Sequence, residues 1–217
     1  MTSLASDTQA PPDLGPGEAR LRVELDAWGV VFCGGASTRM GRDKAGLVLA
    51  GEALVARAAR ALTGLVPRVL LASGRTLRHP ELGLECVLDR ETGAGPLSGL
   101  EAALARLAAE GVARACVLAC DMPRANTAAL RALLARARAT DADVCLVETE
   151  AGPEPLFGVY HARVLGAVRA ALARGERRMI SFHPGLRVLA VPESELGPGC
   201  ARNLNTPEEF RAEGGAW

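Results

Sequence analysis

The chain has 217 residues, with 49% hydrophobic residues and 25 basic against 25 acidic side chains, so its formal net charge is zero. That is enough apolar material for one well-packed α/β domain. The charge balance gives no global field to favour nucleic acid or an anionic membrane, so any anion binding is local.

No run of about eighteen apolar residues is present, and the first residues lack the pattern of a secretory signal, which predicts a cytoplasmic protein that neither spans nor sits on a membrane. The six cysteines, Cys33, Cys86, Cys116, Cys120, Cys145 and Cys200, form no CxxC pair and fall mostly inside apolar runs. They read as buried thiols rather than zinc ligands or disulfides. Cys116 and Cys120 lie four apart in a predicted strand, which puts them on one face without a histidine to complete a metal set.

Residues 1–26 are rich in Pro, Gly, Ser, Thr and Asp and read as a flexible extension, with Leu21, Val23 and Leu25 alternating as in a short edge strand. Residues 27–217 form the predicted single domain. Val30, Val31, Phe32 and Cys33 make a buried strand that stops at Gly34-Gly35. Paired glycines let successive amides approach one ligand and form an anion cradle. Arg39 and Lys44 follow within the same loop. The spacing excludes a P-loop, because five residues separate Gly35 from Gly41 and Arg42-Asp43 come next. The dinucleotide fingerprint fails too, its nearest echo being Gly93, Gly95 and Gly99 with one residue too many.

Leu54, Ala58, Ala61, Leu62 and Leu65 then recur at helical spacing up to Gly64 and Pro67. Val69 to Ala72 make a second buried strand, and Cys86 to Leu88 a third that ends at Asp89. The stretch Gly95-Pro96-Leu97-Ser98-Gly99-Leu100 opens a helix carrying Leu100, Leu104 and Leu107 on one face, and its glycines serve either a ligand at the helix start or a tight turn against the sheet. A fourth strand, Cys116 to Ala119, ends in Cys120-Asp121-Met122-Pro123. A carboxylate just past the carboxyl end of a parallel strand lies where open α/β sheets bind ligands, and Asp121 suits magnesium there. Its plainer reading is a cap on the helix starting near Asn126.

Leu130, Leu133, Leu134 and Ala137 mark that helix, and Val144 to Val147 a further strand. Pro155 to Tyr160 is an extended run, followed by a helix through Val164, Leu165, Val168 and Leu172. The charged stretch Arg174-Gly175-Glu176-Arg177-Arg178 ends it and by itself reads as a solvated helix end. Val188 to Val191 form a late strand. Last comes Asn203-Leu204-Asn205-Thr206-Pro207-Glu208-Glu209-Phe210, in which Thr206-Pro207 and two acids make a strong helix start. The amides of Asn203 and Asn205, two apart, fall on one side if extended, free to hold phosphate or metal-bound water.

Taken together, the glycine loop GGASTRMGRDK from Gly34 to Lys44, GPLSGL from Gly95, CDMP from Cys120, PLFGVY from Pro155, GERR from Gly175 and NLNTPEEF from Asn203 resemble the molybdenum cofactor guanylyltransferase family, over about Gly29 to Phe210. The resemblance implies a three-layer, Rossmann-like, mostly parallel sheet with helices on both faces, of the nucleotide-diphospho-sugar transferase type. It implies GMP transfer from GTP to molybdopterin, with Mg2+ on Asp121 and with Arg39, Lys44 and Asp121 as the catalytic set. Phe32, Cys33, Gly34, Gly35, Lys44, Ala72, Asp89 and Asp121 fall at the family's nucleotide positions, and Gly95, Pro96, Gly99, Arg177, Arg178, Asn203 and Asn205 at its substrate positions. Beyond the substrates, the family points to cofactor-delivery proteins or acceptor molybdoenzymes as partners. The family has an asparagine where Ala72 stands, which leaves guanine contact at that loop open. A CTP-using relative or another phosphorylated acceptor is the rival enzyme reading, and a non-catalytic nucleotide-binding module the rival of another class.

Overall fold

A computed structural model describes residues 26–34, 43–90 and 95–216. The predicted extension before Asp26, with its possible edge strand at Leu21 to Leu25, lies outside the described residues.

The apolar runs form the strands of one sheet. β1 (Ala27–Phe32) is buried at every position, as expected of a central strand covered on both faces. A two-stranded hairpin, β2 (Val48–Leu49) with β3 (Glu52–Ala53), precedes α1 (Leu54–Thr63). The sequence reading missed this hairpin, whose two-residue turn puts both Ala50 and Gly51 at positive φ. β4 (Val69–Ala72), β5 (Glu85–Val87), α2 (Pro96–Ala109), β6 (Arg114–Ala119) and α3 (Thr127–Thr140) follow. The chain continues through β7 (Val144–Thr149), β8 (Gly152–His161), α4 (Leu165–Ala173), β9 (Val188–Pro192) and α5 (Pro207–Ala212).

Seven strands lie in the order β5-β4-β1-β6-β8-β7-β9. β5, β4, β1 and β6 run parallel, as do β7 and β9, while β8 is antiparallel to both of its neighbours. One core cluster packs Val55, Ala58 and Leu62 of α1 with Leu130, Leu133 and Leu134 of α3 on one face. A second packs Leu100, Leu104 and Leu107 of α2 with Val168 and Leu172 of α4 on the other. The three-layer, mostly parallel expectation therefore holds. Two physical cues fixed it in the sequence: strands without polar alternation, and helices with an apolar stripe between them.

The connections place the ligand crevice. From β1 the chain moves outward to β4 and β5, then returns across the sheet to β6 on the other side of β1. Loops leaving β1 and β6 therefore diverge, and the crevice between them at the carboxyl ends is the site such sheets offer to ligands. Cys120 N–H donates to the Phe32 carbonyl at 3.1 Å, carrying the β1–β6 pairing to the rim of that crevice.

A small third cluster joins Leu47, Leu49, Leu54, Leu204 and Phe210, so the β2–β3 hairpin and α5 share a core. It brings the terminal signature beside the segment that follows Lys44. Cys33, Cys116, Cys120, Cys145 and Cys200 are buried thiols, Cys86 is half-buried, and Cys116 and Cys120 share one core cluster as expected. Among the described residues no helix is long and apolar enough to cross a membrane. The stretch after Arg174 forms turns and buries Met179 and Phe182 in the second core.

At the end of the sheet away from the crevice, where β6 and β7 begin, Asp141 sits in left-handed backbone at the end of α3, φ 46°. Its carboxylate accepts from Arg163 and Arg187, each at 2.9 Å, and these guanidiniums hold its pKa down, from 3.8 to about 2. A depressed carboxylate contributes stability that is present above its unfolded pKa and is lost as pH falls through the folded one. Asparagine tolerates the same backbone. Asp141→Asn is therefore expected to flatten the fall in Tm between about pH 4 and about pH 2; thermal melts with equal slopes for the variant and the wild type would contradict this.

Candidate active site

At the crevice, Lys44 meets Asp121. Lys44 opens a short 3-10 turn, Lys44–Gly46, which Asp43 caps by accepting from Ala45 N–H at 3.2 Å. Asp121 follows β6 by two residues. Lys44 Nζ lies 3.2 Å from Asp121 Oδ2 and donates to Asn205 Oδ1 at 2.9 Å. Both charged side chains are largely shielded, at 17% and 19% exposed, so their attraction is weakly screened. Three segments distant in sequence thus converge on one ammonium.

The terminal signature is built to hold Asn205 there. Thr206 caps α5, its hydroxyl accepting from Glu209 N–H at 3.2 Å while Glu209 Oε2 accepts from Thr206 N–H at 3.0 Å. The same oxygen accepts from Asn205 N–H at 2.6 Å, and Leu204 N–H donates to the Asp121 carbonyl at 2.8 Å. The helix start predicted from Thr206-Pro207 and the acids is a capping box, and it is also the mount of Asn205. Asn203 turns instead to Glu154, donating from Nδ2 to Oε2 at 2.7 Å. Asp121 does not cap α3; Asn126 does, accepting from Ala129 N–H at 3.0 Å.

Two adjoining cavities open along the crevice. The first, about 210 Å3, is lined by Cys33, Gly34, Lys44 and Asp121 among others. The second, about 630 Å3, lies over the ends of β4 and β5 and is bordered by Ala72, Arg75, Asp89, Gly95 and Gly99. Phe32, Gly34, Pro96 and Leu156 border both. Burial pushes the Asp89 carboxyl above the usual carboxylate range. Burial also raises the Cys33 thiol to about 12 and raises Cys120, so neither supplies a thiolate at neutral pH.

The glycines need separating. Gly34 N–H donates to the Ala72 carbonyl at 3.0 Å, beside the Cys33 N–H at 3.1 Å, so the Gly34 amide does not face an anion as the cradle reading expected. Gly34 is required for another reason: a Cβ there would lie 2.5 Å from Gly74 N and 2.7 Å from the Ser73 carbonyl carbon. Gly35 and Arg39 lie outside the described residues, and so does any cradle they form. Gly95 has φ +64° and ψ −160°, a region open to glycine alone, and leads into α2 with Pro96 in its first turn. Gly99 brings α2 against the sheet, where a Cβ would meet Phe32 Cε1 at 3.0 Å and Ala72 Cβ at 3.4 Å. The tight-packing alternative is thus real for both residues, which border the larger cavity as well. Arg177 and Arg178 are exposed, with the Arg177 carbonyl beside Gly95.

Sequence reading passed over Arg78 and Glu154. Arg78 donates to the Cys33 carbonyl at 3.2 Å and pairs with Asp43 Oδ2 at 2.9 Å, tying together the residues that end β1 and precede Lys44. No motif marks it. Glu154 left a faint sign, a carboxylate between two prolines in an otherwise apolar strand.

Hard oxygens from Asp121 and Asn205 beside a phosphate-sized cavity fit magnesium, which takes one or two carboxylates and completes its shell with substrate phosphate and water. Among the described residues no cluster of three or more His, Cys, Asp or Glu could form a closed protein cage for a metal.

A lysine and a carboxylate facing each other at the switch point of a mostly parallel sheet, beside a nucleoside-sized cavity, fit a nucleotidyltransferase. The chain belongs to the MobA-like NTP transferase domain family, whose profile matches residues 29–188. It is 39% identical over 189 residues to a "Probable molybdenum cofactor guanylyltransferase" of Opitutus terrae, covering 83% of this chain and 91% of that one. It is 29% identical over 192 residues to the "Molybdenum cofactor guanylyltransferase" of Vibrio parahaemolyticus, covering 88% and 95%. In fold it is similar to molybdopterin-guanine dinucleotide biosynthesis protein A of Archaeoglobus fulgidus, with a TM-score of 0.69, 21% identity, and 86% and 96% of the two chains covered.

Gly34→Ala is expected to force the ends of β1 and β4 apart and to lower stability by about 1 to 3 kcal/mol, as overpacking does. Urea denaturation of the purified variant measures this, and an unchanged midpoint would contradict the close approach.

Proposed function

We propose that this chain transfers GMP from GTP to the terminal phosphate of molybdopterin, forming the guanine dinucleotide cofactor and releasing pyrophosphate. The observation that carries the reading is the convergence of Lys44, Asp121 and Asn205 on one point of the crevice, 3.2 and 2.9 Å from the same ammonium. Curated relatives bearing the guanylyltransferase name over most of the chain support it.

In this reading a terminal phosphate oxygen of molybdopterin attacks the α-phosphorus of GTP in line, a new P–O bond forms, and the bond to the β-phosphate oxygen breaks. No general base is needed, because a phosphate monoester with a second pKa of about 6 is mostly dianionic at neutral pH. The chain's task is to hold the reactants in line and cancel their charge. Lys44 supplies a fixed positive charge at the smaller cavity, oriented by Asn205. Arg39 belongs to the same loop as a second cation. Asp121 and Asn205 would hold Mg2+, which supplies Lewis-acid neutralisation of the phosphate oxygens. The larger cavity takes the nucleoside, with Asp89 as an acceptor for its N–H or O–H donors. The acceptor approaches past Gly95, Pro96 and Gly99, where Arg177 and Arg178 face solvent.

Ala72 favours a second reading in one respect. Its methyl lacks the amide that the resembling family carries at this place, so base choice rests on the rest of the larger cavity. Titrating GTP and CTP separately with Mg2+ and molybdopterin while following pyrophosphate release tests both. Release with GTP is the expected result. Release with CTP alone would overturn guanine use, and release with neither would leave a binding module or an enzyme for another phosphorylated acceptor.

Lys44→Ala and Asp121→Ala are each expected to lower kcat by roughly two to three orders of magnitude, the usual consequence of removing one preorganised electrostatic contact. A near-wild-type rate in either variant would remove that residue from the mechanism.

A further inference from the structure

Glu154 lies on β8 where that strand leaves its regular pairing. Leu146 of β7 faces Gly158 and the next residue, Val147, faces Glu154, so residues 155–157 are extra on the β8 side. Phe157 meanwhile stays paired with Leu118 of β6, and Tyr160 Oη donates to the Pro155 carbonyl at 2.5 Å. The bulge presents Leu156 to both cavities.

The Glu154 carboxylate braces this bulge from within. Oε1 accepts from Leu156 N–H at 3.1 Å, and Oε2 accepts from Asn203 Nδ2 at 2.7 Å. Each oxygen is engaged by the chain itself, an arrangement that suits a strut rather than a ligand. Burial raises its pKa and the nearby Asp121 charge adds to the rise, while the two hydrogen bonds oppose them. A half-buried carboxylate near a like charge is costly unless its bonds hold it in place.

We propose that Glu154 is a positioning residue that locks the β8 bulge to the terminal segment, so that Asn205 stays aimed at Lys44 and Asp121 while Leu156 keeps its place between the cavities. The connection is short: Asn203 is two residues from Asn205, and Leu204 between them is hydrogen-bonded to the Asp121 carbonyl. Losing the Glu154–Asn203 bond releases one side of that segment without touching substrate. The consequence for rate rests on the nucleotidyl-transfer reading above; the strut itself does not.

Three variants test it. Asn203→Asp keeps the shape but sets a carboxylate against the Glu154 carboxylate, with no donor between them. Asn203→Ala removes the partner. In the double variant Glu154→Gln, Asn203→Asp, the amide introduced at 154 donates to the carboxylate introduced at 203 while its oxygen still accepts from Leu156 N–H. Each single substitution is expected to lower kcat for GTP-dependent pyrophosphate release about ten- to hundredfold, with KM for GTP changed less than about threefold. The exchanged pair is expected to recover at least about tenfold over Asn203→Asp. A wild-type kcat in Asn203→Asp, or an exchanged pair no faster than that single variant, would overturn the proposal. Urea denaturation of the same proteins reads the strut without any assay of activity: the exchanged pair should unfold at a higher midpoint than Asn203→Asp alone. Lack of that recovery overturns the strut whether or not the wild type transfers GMP, whereas a wild type inactive with GTP overturns the nucleotidyl-transfer reading alone.

Discussion

One ammonium organises this protein. Lys44 Nζ is held by the Asp121 carboxylate and the Asn205 amide oxygen, and those three residues come from the start of the domain, the end of a central strand, and the last turns of the chain. None of them has a local reason to meet. Their meeting is the result of a sheet whose order reverses at β1, a hairpin that shares a core with α5, and a capping box that fixes the backbone of Asn205. Charge of both signs at the mouth of a partly buried crevice is costly unless paired, and here it is paired across the fold. A nucleotide triphosphate and a divalent cation are the ligands whose charges such a pair would meet.

The rest of the crevice follows from close packing. Gly34 lies against the Ser73-Gly74 turn, Gly99 lets α2 settle onto Phe32 and Ala72, and Gly95 turns the chain sharply into α2. Each is a place where a side chain would fill the space between secondary elements. The cavity and the tight packing are therefore two consequences of the same residues, and a glycine need not choose between them. The apolar wall at Leu156 arises differently, from a strand irregularity braced by a carboxylate.

Much of the fold was legible in the sequence because parallel strands buried on both faces are uninterrupted apolar runs. Val69 to Ala72 and the helix stripe of Leu100, Leu104 and Leu107 need no tertiary context to be read. The β2–β3 hairpin was not legible, since two-residue strands carry no periodicity and Ala50 in left-handed backbone carries no signal. At the site, Lys44, Asp121 and Asn205 were legible through their places in the glycine loop, the strand end and the terminal signature. The direction of the Cys33 and Gly34 amides was not, because it depends on the Ala72 carbonyl, 39 and 38 positions away in the chain. Arg78 and Glu154 escaped for the same reason: each acts by joining segments, and spacing records only what is near in sequence.

The central claim is that metal-bound nucleotide sits at Lys44 and Asp121. A crystal structure of the protein with Mn2+ and a non-hydrolysable GTP analogue tests it most directly, through the anomalous signal of the metal. One Mn2+ coordinated by an Asp121 carboxylate oxygen is expected, with phosphate oxygens within reach of Lys44. Manganese and phosphates bound away from both residues would contradict it.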